Sequence, residues 1–282
     1  MPELPEVETI ARGLEQRIAG DVFESVWLGS KREPLKSSAR LIARTLEGKR
    51  IEQVHRIGKH VVFELGATKL ATEKTKDKAS AQFVVHLGMT GSLTVVRPGD
   101  ETAKHTHMVA SLRSGRELRF VDPRRFGRLS VRARDLEGDT RWAGGSEPLE
   151  ISEEAFGELL RQRKAPIKSA LLNQKLLRGV GNIYADEALF RAGIRPRRRA
   201  NTLTRAERSK LLKALQVVLR EAIAAGGSSI ADYVDAAGEE GMFQMQHRVY
   251  GREDEPCLSC KRAIKRIVLA GRSAHYCPKC QR

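Results

Sequence analysis

The sequence predicts a multidomain α+β fold with an N-terminal helix, an eight-stranded β-sandwich, a helical domain and a C-terminal hairpin that contains four cysteines. Three observations support it: the apolar pattern changes from helical to alternating and back, the cysteines cluster near the C-terminus, and the 282 residues carry a net charge of +16. Hydrophobic residues make up 40% of the chain, which is enough to build cores. No apolar run approaches the roughly 20 residues of a membrane span, so we expect no membrane contact.

The N-terminal part predicts one helix followed by strands. In residues 5–19, Val7, Ile10, Leu14 and Ile18 share one helical face. Farther along, β-branched or alternating apolar residues form eight short segments separated by turns. Such a series is typical of a β-sandwich or flattened barrel. The segments are 21–28, 49–56, 60–65, 82–87, 91–96, 107–112, 117–121 and 127–132.

The second half of the chain predicts helices. Ser152 is an expected N-cap, further helices are expected over about 166–174 and from Asn182, and Thr204 with Glu207 predicts a capping box before a longer helix. The polar, glycine-rich residues before Ser152 predict a linker. The expected domains are 1–133 (N-terminal β-sandwich), 134–150 (linker), 151–247 (helical) and 248–282 (C-terminal cysteine hairpin).

The four cysteines predict a structural zinc site. Their pattern is C-x2-C-x16-C-x2-C, formed by Cys257, Cys260, Cys277 and Cys280. Each C-x2-C turn can direct two sulfur atoms at one tetrahedral ion, and four ligands close its coordination shell. Two disulfides are the alternative, which a reducing cytosol disfavours. Between the cysteine pairs, apolar and basic residues alternate as in a β-hairpin.

The charge predicts a polyanionic partner. A net charge of +16 and a pI near 10.0 favour nucleic acid first and an anionic membrane surface second, with a merely solubilising surface as the alternative. Residues 248–282 carry nine Lys or Arg against three acidic residues, so the zinc hairpin is expected to contact nucleic acid. The alternative is a zinc clip that only fastens the C-terminus. The N-terminus lacks an apolar signal sequence, and we expect a cytoplasmic, nucleoid-associated protein.

The N-terminus also offers a nucleophile. Initiator methionine is normally removed before a small residue, so the mature chain would begin with the secondary amine of Pro2. Such an amine can attack an electrophilic carbon and form an iminium. Glu3 and Glu6 are carboxylates suited to proton transfer. Alternatively, the proline and acidic residues simply begin a helix.

Six motifs, in order along the whole chain, closely resemble those of bacterial formamidopyrimidine-DNA glycosylases. They are PELPEVE at 2–8, HLGMTG at 86–91, KHTH at 104–107, DPRRFG at 122–127, KLLRGVGNIYADE at 175–187 and the four-cysteine finger. The resemblance implies a helix-two-turns-helix domain and a monomeric enzyme. Such an enzyme acts on double-stranded DNA, excises 8-oxoguanine and formamidopyrimidines, and nicks the abasic strand by β,δ-elimination.

The resemblance also implies roles for individual residues. Pro2 would attack C1′ of the lesion nucleotide, Glu3 would transfer protons at the sugar, and Lys59 would contact the flanking phosphate and assist elimination. Arg272, on the zinc hairpin, would act with them. The resemblance also implies residues that contact DNA. Met89, Arg124 and Phe126 would fill the gap left by the everted nucleotide, with Arg124 facing the orphaned cytosine. Lys168, Asn182 and Arg272 would form a phosphate clamp, and Glu6 and His105 are the other implied contacts.

Three departures from the family pattern are notable. The lysine-rich stretch 67–81 is longer than the usual connection and predicts a mobile loop. Ala274 and His275 stand at the expected hairpin tip, where a threonine and an aromatic residue are more usual. Residues 227–246 resemble the loop over the everted base.

The competing interpretations are an endonuclease VIII-type glycosylase for oxidised pyrimidines and a non-catalytic zinc-ribbon DNA-binding protein.

Overall fold

The computed structural model describes residues 1–67, 81–133, 141–230 and 233–282, and the chain forms two compact units. The first unit contains Met1–Thr140 and Gly226–Gly241, and the second contains Arg141–Ala225 and Met242–Arg282. Residues 68–80, which make up almost all of the lysine-rich stretch, lie outside the described residues. The domain bounds expected from the sequence stay a prediction.

In its described residues, the first unit is a β-sandwich with two α-helices. Two four-stranded antiparallel sheets have the strand orders β1-β6-β7-β5 and β2-β3-β4-β8. All eight predicted strands are confirmed. The helices are α1 (Leu4–Ile18) and α2 (Ala39–Leu46); the strands are β1 (Phe23–Leu28), β2 (Arg50–Ile57), β3 (His60–Gly66), β4 (Ala81–His86), β5 (Ser92–Val96), β6 (Thr106–Leu112), β7 (Glu117–Val121) and β8 (Arg128–Ala133).

The core of this unit joins both sheets to α1. The four apolar residues predicted to share a helical face are all fully buried, as are the phenylalanines of β1, β3, β4 and β7. The rings of Phe63 and Phe83 lie 5.4 Å apart between their centroids. Because α1 is packed into the core along its length, the residues just before it are held in a fixed place.

Helix α2 is absent from the sequence prediction. Its eight residues begin after Ser38, whose hydroxyl accepts a hydrogen bond from the Leu41 N–H at 3.3 Å. Only Ile42 and Leu46 are buried, so the helix shows a single apolar repeat. That is too short a pattern to identify a helix by periodicity.

The second unit contains four α-helices and the C-terminal hairpin. The helices are α3 (Glu153–Arg161), α4 (Ile167–Leu171), α5 (Asn182–Ala192) and α6 (Arg205–Ala224). The hairpin consists of the antiparallel strands β9 (Lys265–Leu269) and β10 (Arg272–Tyr276). The Ser152 cap and the capping box of Thr204 and Glu207 are confirmed. Within the described part of the chain, the helices are too short or too polar to cross a lipid bilayer.

Candidate active site and zinc site

The acidic residues at the N-terminus are buried and held by hydrogen bonds. Glu3 and Glu6 are 4% and 2% exposed, and Pro2 is also buried. Glu3 caps α1 and forms a capping box with Glu6, whose Oε2 accepts the Glu3 N–H at 2.8 Å. Glu6 Oε1 accepts the Ser228 N–H, also at 2.8 Å. Glu6 therefore connects the start of the helix to the segment 226–241.

Segment 226–241 packs against this helix start with little free space. Gly227 has a φ of +85°, and a Cβ there would lie 2.9 Å from Glu6 Cγ. The Tyr233 hydroxyl donates to the Gly226 carbonyl at 3.0 Å. Burial, and secondarily the charge of Glu6, raises the pKa of Tyr233, so this hydroxyl stays protonated. The described residues of this segment are therefore held against α1 within the first unit, and the segment includes much of the predicted lesion loop.

Lys59 lies in the two-residue turn between β2 and β3 and is 8% exposed. The same turn is tied to α1 by Arg56, which donates to the Gly58 carbonyl at 3.2 Å and to Glu8 Oε2 at 2.7 Å. Burial alone would raise the pKa of Glu8, but Arg56 and Arg12 outweigh it and lower that pKa. A charged bridge thus connects the helix that follows Pro2 to the turn that carries Lys59.

Two histidines lie on neighbouring strands beside Lys59. The rings of His60 and His86 are 5.0 Å apart, and His86 Nδ1 accepts the Gly88 N–H at 3.0 Å. Burial, followed by the charges of His60, Arg128 and Lys59, lowers the pKa of His86 to about 3. His86 is therefore neutral at pH 7. The sequence analysis did not select this pair, since an alternating strand pattern does not distinguish a functional histidine.

The three residues predicted to fill a base gap project from two adjacent turns. Met89 and Phe126 are 43% and 51% exposed, which is unusual for large apolar side chains. The Arg124 guanidinium lies over the Phe126 ring, 4.9 Å from its centroid. Gly88 has a φ of +67°, and a Cβ there would be 2.5 Å from the Gly127 nitrogen. The backbones of the two turns are therefore in contact.

Asp122, a residue that the sequence analysis did not select, lies beneath both turns. It is 0% exposed and accepts hydrogen bonds from the Thr90 hydroxyl and the Gly127 N–H, each at 2.7 Å. Its backbone N–H donates to the carbonyl of His105 at 3.1 Å. His105 is exposed and has a φ of +70°. The sequence signal available for Asp122 was its place at the start of the DPRRFG motif.

Two of the predicted phosphate contacts, Lys168 and Asn182, meet the hairpin strand β10. Lys168 is 0% exposed, and its Nζ lies 2.7 Å from Asp186 Oδ1 and donates to the Ser273 carbonyl. Asp186 Oδ2 accepts the His275 N–H at 2.9 Å. Asn182 Nδ2 donates to Ser273 Oγ at 3.1 Å. The ammonium of Lys168 is thus engaged inside the protein.

Arg272 is exposed and is the first residue of β10. The hairpin turn before it contains Ala270 and Gly271, with φ values of +48° and +75°, as a two-residue hairpin turn requires. The expected position of Ala274 and His275 at the hairpin tip was therefore wrong. Both lie buried within β10, because Ala270 and Gly271, which have positive φ, form the turn.

The four cysteines form a compact group of sulfur atoms. All four Sγ atoms lie within 4.8 Å of one another. The Cys257–Cys280 and Cys260–Cys277 Sγ pairs are 3.9 and 3.4 Å apart. Zinc–sulfur bonds of about 2.3 Å place tetrahedral ligands about 3.8 Å apart, whereas a disulfide needs about 2.05 Å. The residues fit one structural zinc ion, and the disulfide alternative does not hold.

Helix α5 holds the finger through a second buried carboxylate. Glu187 is 0% exposed and accepts the backbone N–H groups of residues 248, 249 and 250 at 2.9–3.0 Å. Burial raises the pKa of Glu187, although these hydrogen bonds oppose the shift. Phe190, one turn later, packs in a small core with Val249, Ile264 and two cysteines. The sequence analysis missed Glu187, although it lies in the GVGNIYADE motif.

Comparison with known proteins identifies the class of protein. Three family models match, described as the formamidopyrimidine-DNA glycosylase N-terminal domain (residues 1–129), the formamidopyrimidine-DNA glycosylase H2TH domain (145–234) and a zinc finger found in FPG and IleRS (254–282). Formamidopyrimidine-DNA glycosylases of Solibacter usitatus and Desulfitobacterium hafniense are each 44% identical to this chain, with 100% of both sequences covered.

Solved structures agree with this class. A Lactococcus lactis Fpg variant bound to Fapy-dG-containing DNA has a TM-score of 0.88 at 33% identity, covering 100% of both chains. MutM (Fpg) of Thermus thermophilus has a TM-score of 0.83 at 40% identity, covering 99% of this chain and 98% of that one. This chain belongs to the formamidopyrimidine-DNA glycosylase family.

Proposed function

We propose that this protein excises oxidised purines from double-stranded DNA and then cleaves the strand at the abasic site, with Pro2 as the nucleophile. Its membership of a glycosylase family makes it a DNA repair enzyme. The observation that carries the proposal is the buried carboxylate pair beside Pro2, in which Glu6 is fixed by two backbone N–H groups and Glu3 by the capping box. A helix start needs only one acidic cap, so a second carboxylate tied to residue 228 supports a functional role.

The chemistry follows from a secondary amine next to a carboxyl group. The Pro2 nitrogen would form a bond to C1′ as the glycosidic bond to the damaged base breaks, and the base would leave with a proton. Glu3 would then supply a proton as the sugar ring opens, leaving an iminium. The iminium acidifies C2′, so loss of that proton expels the 3′ phosphate and a second elimination expels the 5′ phosphate.

We propose that Lys59 binds the phosphate next to the lesion and assists the eliminations. Its neighbour His86 is neutral at pH 7, because its pKa is about 3. His86 therefore adds no charge at this position, and Lys59 and Arg128 supply the positive charge that would attract an anionic phosphate. The charged bridge between Arg56 and Glu8 supports a stable placement of this turn relative to α1.

For DNA binding we propose that Met89, Arg124 and Phe126 enter the space of the everted nucleotide, and that His105, Asn182 and Arg272 bind the backbone. Lys168 is proposed to act from behind this surface: its buried ammonium offsets Asp186 and holds Ser273, the hydrogen-bond partner of Asn182. Lactococcus lactis Fpg structures contain Fapy-dG or abasic-site DNA, which supports a lesion-containing duplex as partner. We further propose a monomer in the cytoplasm.

Borohydride trapping on a duplex with 8-oxoguanine opposite cytosine tests the proposal. We expect a covalent adduct on damaged but not intact duplex, mapped by mass spectrometry to Pro2 of the processed chain. A chain that retains Met1 is the matched control, because its proline nitrogen is an unreactive amide. Glu3→Gln should bind the lesion but release the base slowly. An adduct on Lys59, or full activity with Met1 retained, would overturn the mechanism.

An oxidised pyrimidine is a second candidate substrate. One of the similar structures is a Lactococcus lactis Fpg bound to DNA containing an oxidised pyrimidine, with a TM-score of 0.87 and 33% identity. Competition between the two lesion classes in one reaction would decide the preference. Excision of the purine lesion with the higher kcat/KM supports the proposed function, and the reverse order favours the pyrimidine activity.

A further inference from the structure

The turns that carry Met89 and Phe126 share one buried anchor. We propose that Asp122 is a positioning residue, which acts through Thr90 to fix Met89 relative to Arg124 and Phe126. This inference rests on the proposed function, in which these three side chains form a wedge that enters the base stack.

The contacts of Asp122 reach both turns from one side chain. Oδ1 accepts the Thr90 hydroxyl at 2.7 Å, which holds the turn that bears Met89. Oδ2 accepts the Gly127 N–H at 2.7 Å, and Oδ1 lies 3.3 Å from the Arg124 nitrogen, which holds the second turn. Hydrogen bonds to an ionised acceptor are roughly twice as strong as neutral ones. The Thr90 hydroxyl also accepts the Arg124 N–H at 3.4 Å. Asp122 and Thr90 together therefore couple two turns that are about thirty residues apart in sequence.

The backbone beneath the wedge is closely packed. A Cβ at Gly127 would lie 2.4 Å from the Phe120 ring, and one at Gly88 would lie 2.5 Å from the Phe126 backbone. The tips above this base remain exposed, with Met89 at 43% and Phe126 at 51%. Exposed apolar groups on a rigid support are preorganised for insertion.

Preorganisation matters because opening a base step costs a few kcal/mol. A wedge whose parts are already in register loses little conformational freedom when it inserts. Without the Thr90 hydroxyl, the turn bearing Met89 would be held less rigidly against the turn bearing Phe126. Insertion of the wedge should then be slower, whereas the chemistry at Pro2 should be unaffected.

The test uses Thr90→Val, which keeps the side-chain shape and removes the hydroxyl that donates to Asp122 and accepts from the Arg124 N–H. Thr90→Ser is the conservative rescue. Single-turnover excision from an 8-oxoguanine duplex and the fluorescence of a 2-aminopurine next to the lesion report the two steps. We expect both to slow roughly tenfold in Thr90→Val, as for one lost hydrogen bond to a charged group, and to be restored in Thr90→Ser. Trapping on a single-stranded abasic oligonucleotide needs no wedge and should be equal in all variants.

Combining Thr90→Val with Met89→Ala separates the role of the Thr90 hydroxyl from the role of the wedge itself. If Thr90 acts through Met89, the double variant should be no slower than Met89→Ala alone. A slow Met89→Ala with a Thr90→Val at the wild-type rate would overturn the role of Asp122 and leave the wedge intact. A Met89→Ala enzyme at the wild-type rate would refute the wedge and, with it, this inference. A Thr90→Val enzyme that also fails to trap the single-stranded abasic site is damaged more widely, which would likewise contradict a positioning role.

Discussion

At the residue scale, the buried carboxylates of this protein differ in the groups that bind them. Asp122 is satisfied by a hydroxyl and backbone amides, whereas Asp186 faces a buried lysine, with side chains 0% and 1% exposed. Glu187 accepts the backbone N–H groups of residues 248, 249 and 250, and its burial raises its pKa. These carboxylates fasten loops and strands, so their replacement should affect geometry before it affects net charge.

The Lys168–Asp186 pair gives the first prediction. Lys168→Met keeps the length of the side chain and removes the charge, leaving the Asp186 carboxylate buried without its cation. We expect a loss of about 3–5 kcal/mol in the free energy of unfolding, which is typical for one partner of a buried pair. Urea denaturation measures the loss. Lys168→Met combined with Asp186→Asn should recover part of it; an unchanged single variant would mean that solvent reaches the pair.

Glu8 gives a pH prediction. Its folded-state pKa is lowered because Arg56 and Arg12 outweigh the opposing effect of burial. A lowered pKa stabilises the fold at pH values above the unfolded pKa, near 4.5, and that contribution is lost as the pH falls through the folded value. Glu8→Gln should therefore reduce stability at pH 7 and flatten its decline between about pH 5 and pH 3. Thermal unfolding over that range is the measurement, and parallel curves for the two proteins would contradict it.

At the element scale, the zinc hairpin is the part that depends on a single ion. Its small core contains two cysteines and one phenylalanine from α5. Cys277→Ser should release zinc and unfold the hairpin, because so small an element has little other burial. DNA binding should be lost while the far-UV signal of the β-sandwich persists. Zinc analysis and lesion affinity test this, and full zinc content with wild-type affinity would refute it.

The sequence predicted those elements that have a long pattern. Eight strands and α1 follow from periodicity, and the start of the long α6 follows from its capping box at Thr204. Helix α2 has a single apolar repeat and was missed, and the hairpin tip was misplaced by a few residues. Motifs predicted Pro2 and the cysteines as site residues, and the clustered sulfur atoms confirm the cysteines. Asp122 gives no pattern of its own, because its proposed role depends on contacts between distant turns.

At the scale of the whole molecule, the charge of +16 gives the last prediction. Affinity for undamaged duplex should fall by orders of magnitude between about 50 and about 200 mM salt, as phosphate contacts release counterions. Arg272→Ala should lower the slope of log affinity against log salt by about 1. Arg44→Ala, on α2 outside every motif, removes the same charge and should leave the slope unchanged. Equal slopes for all three proteins would contradict a phosphate contact at Arg272.

The first unit is discontinuous in sequence, since it is completed by residues 226–241. A ribosome adds roughly 5–20 residues per second, so the stretch of about 100 residues from Thr140 to Gly241 takes on the order of 5–20 s to synthesise. Throughout that interval Glu6 lacks the Ser228 amide and the core lacks Ala236. A chain released before Ser228 is made would therefore lack these contacts, so the start of α1 gains its second backbone hydrogen bond to Glu6 only late in synthesis.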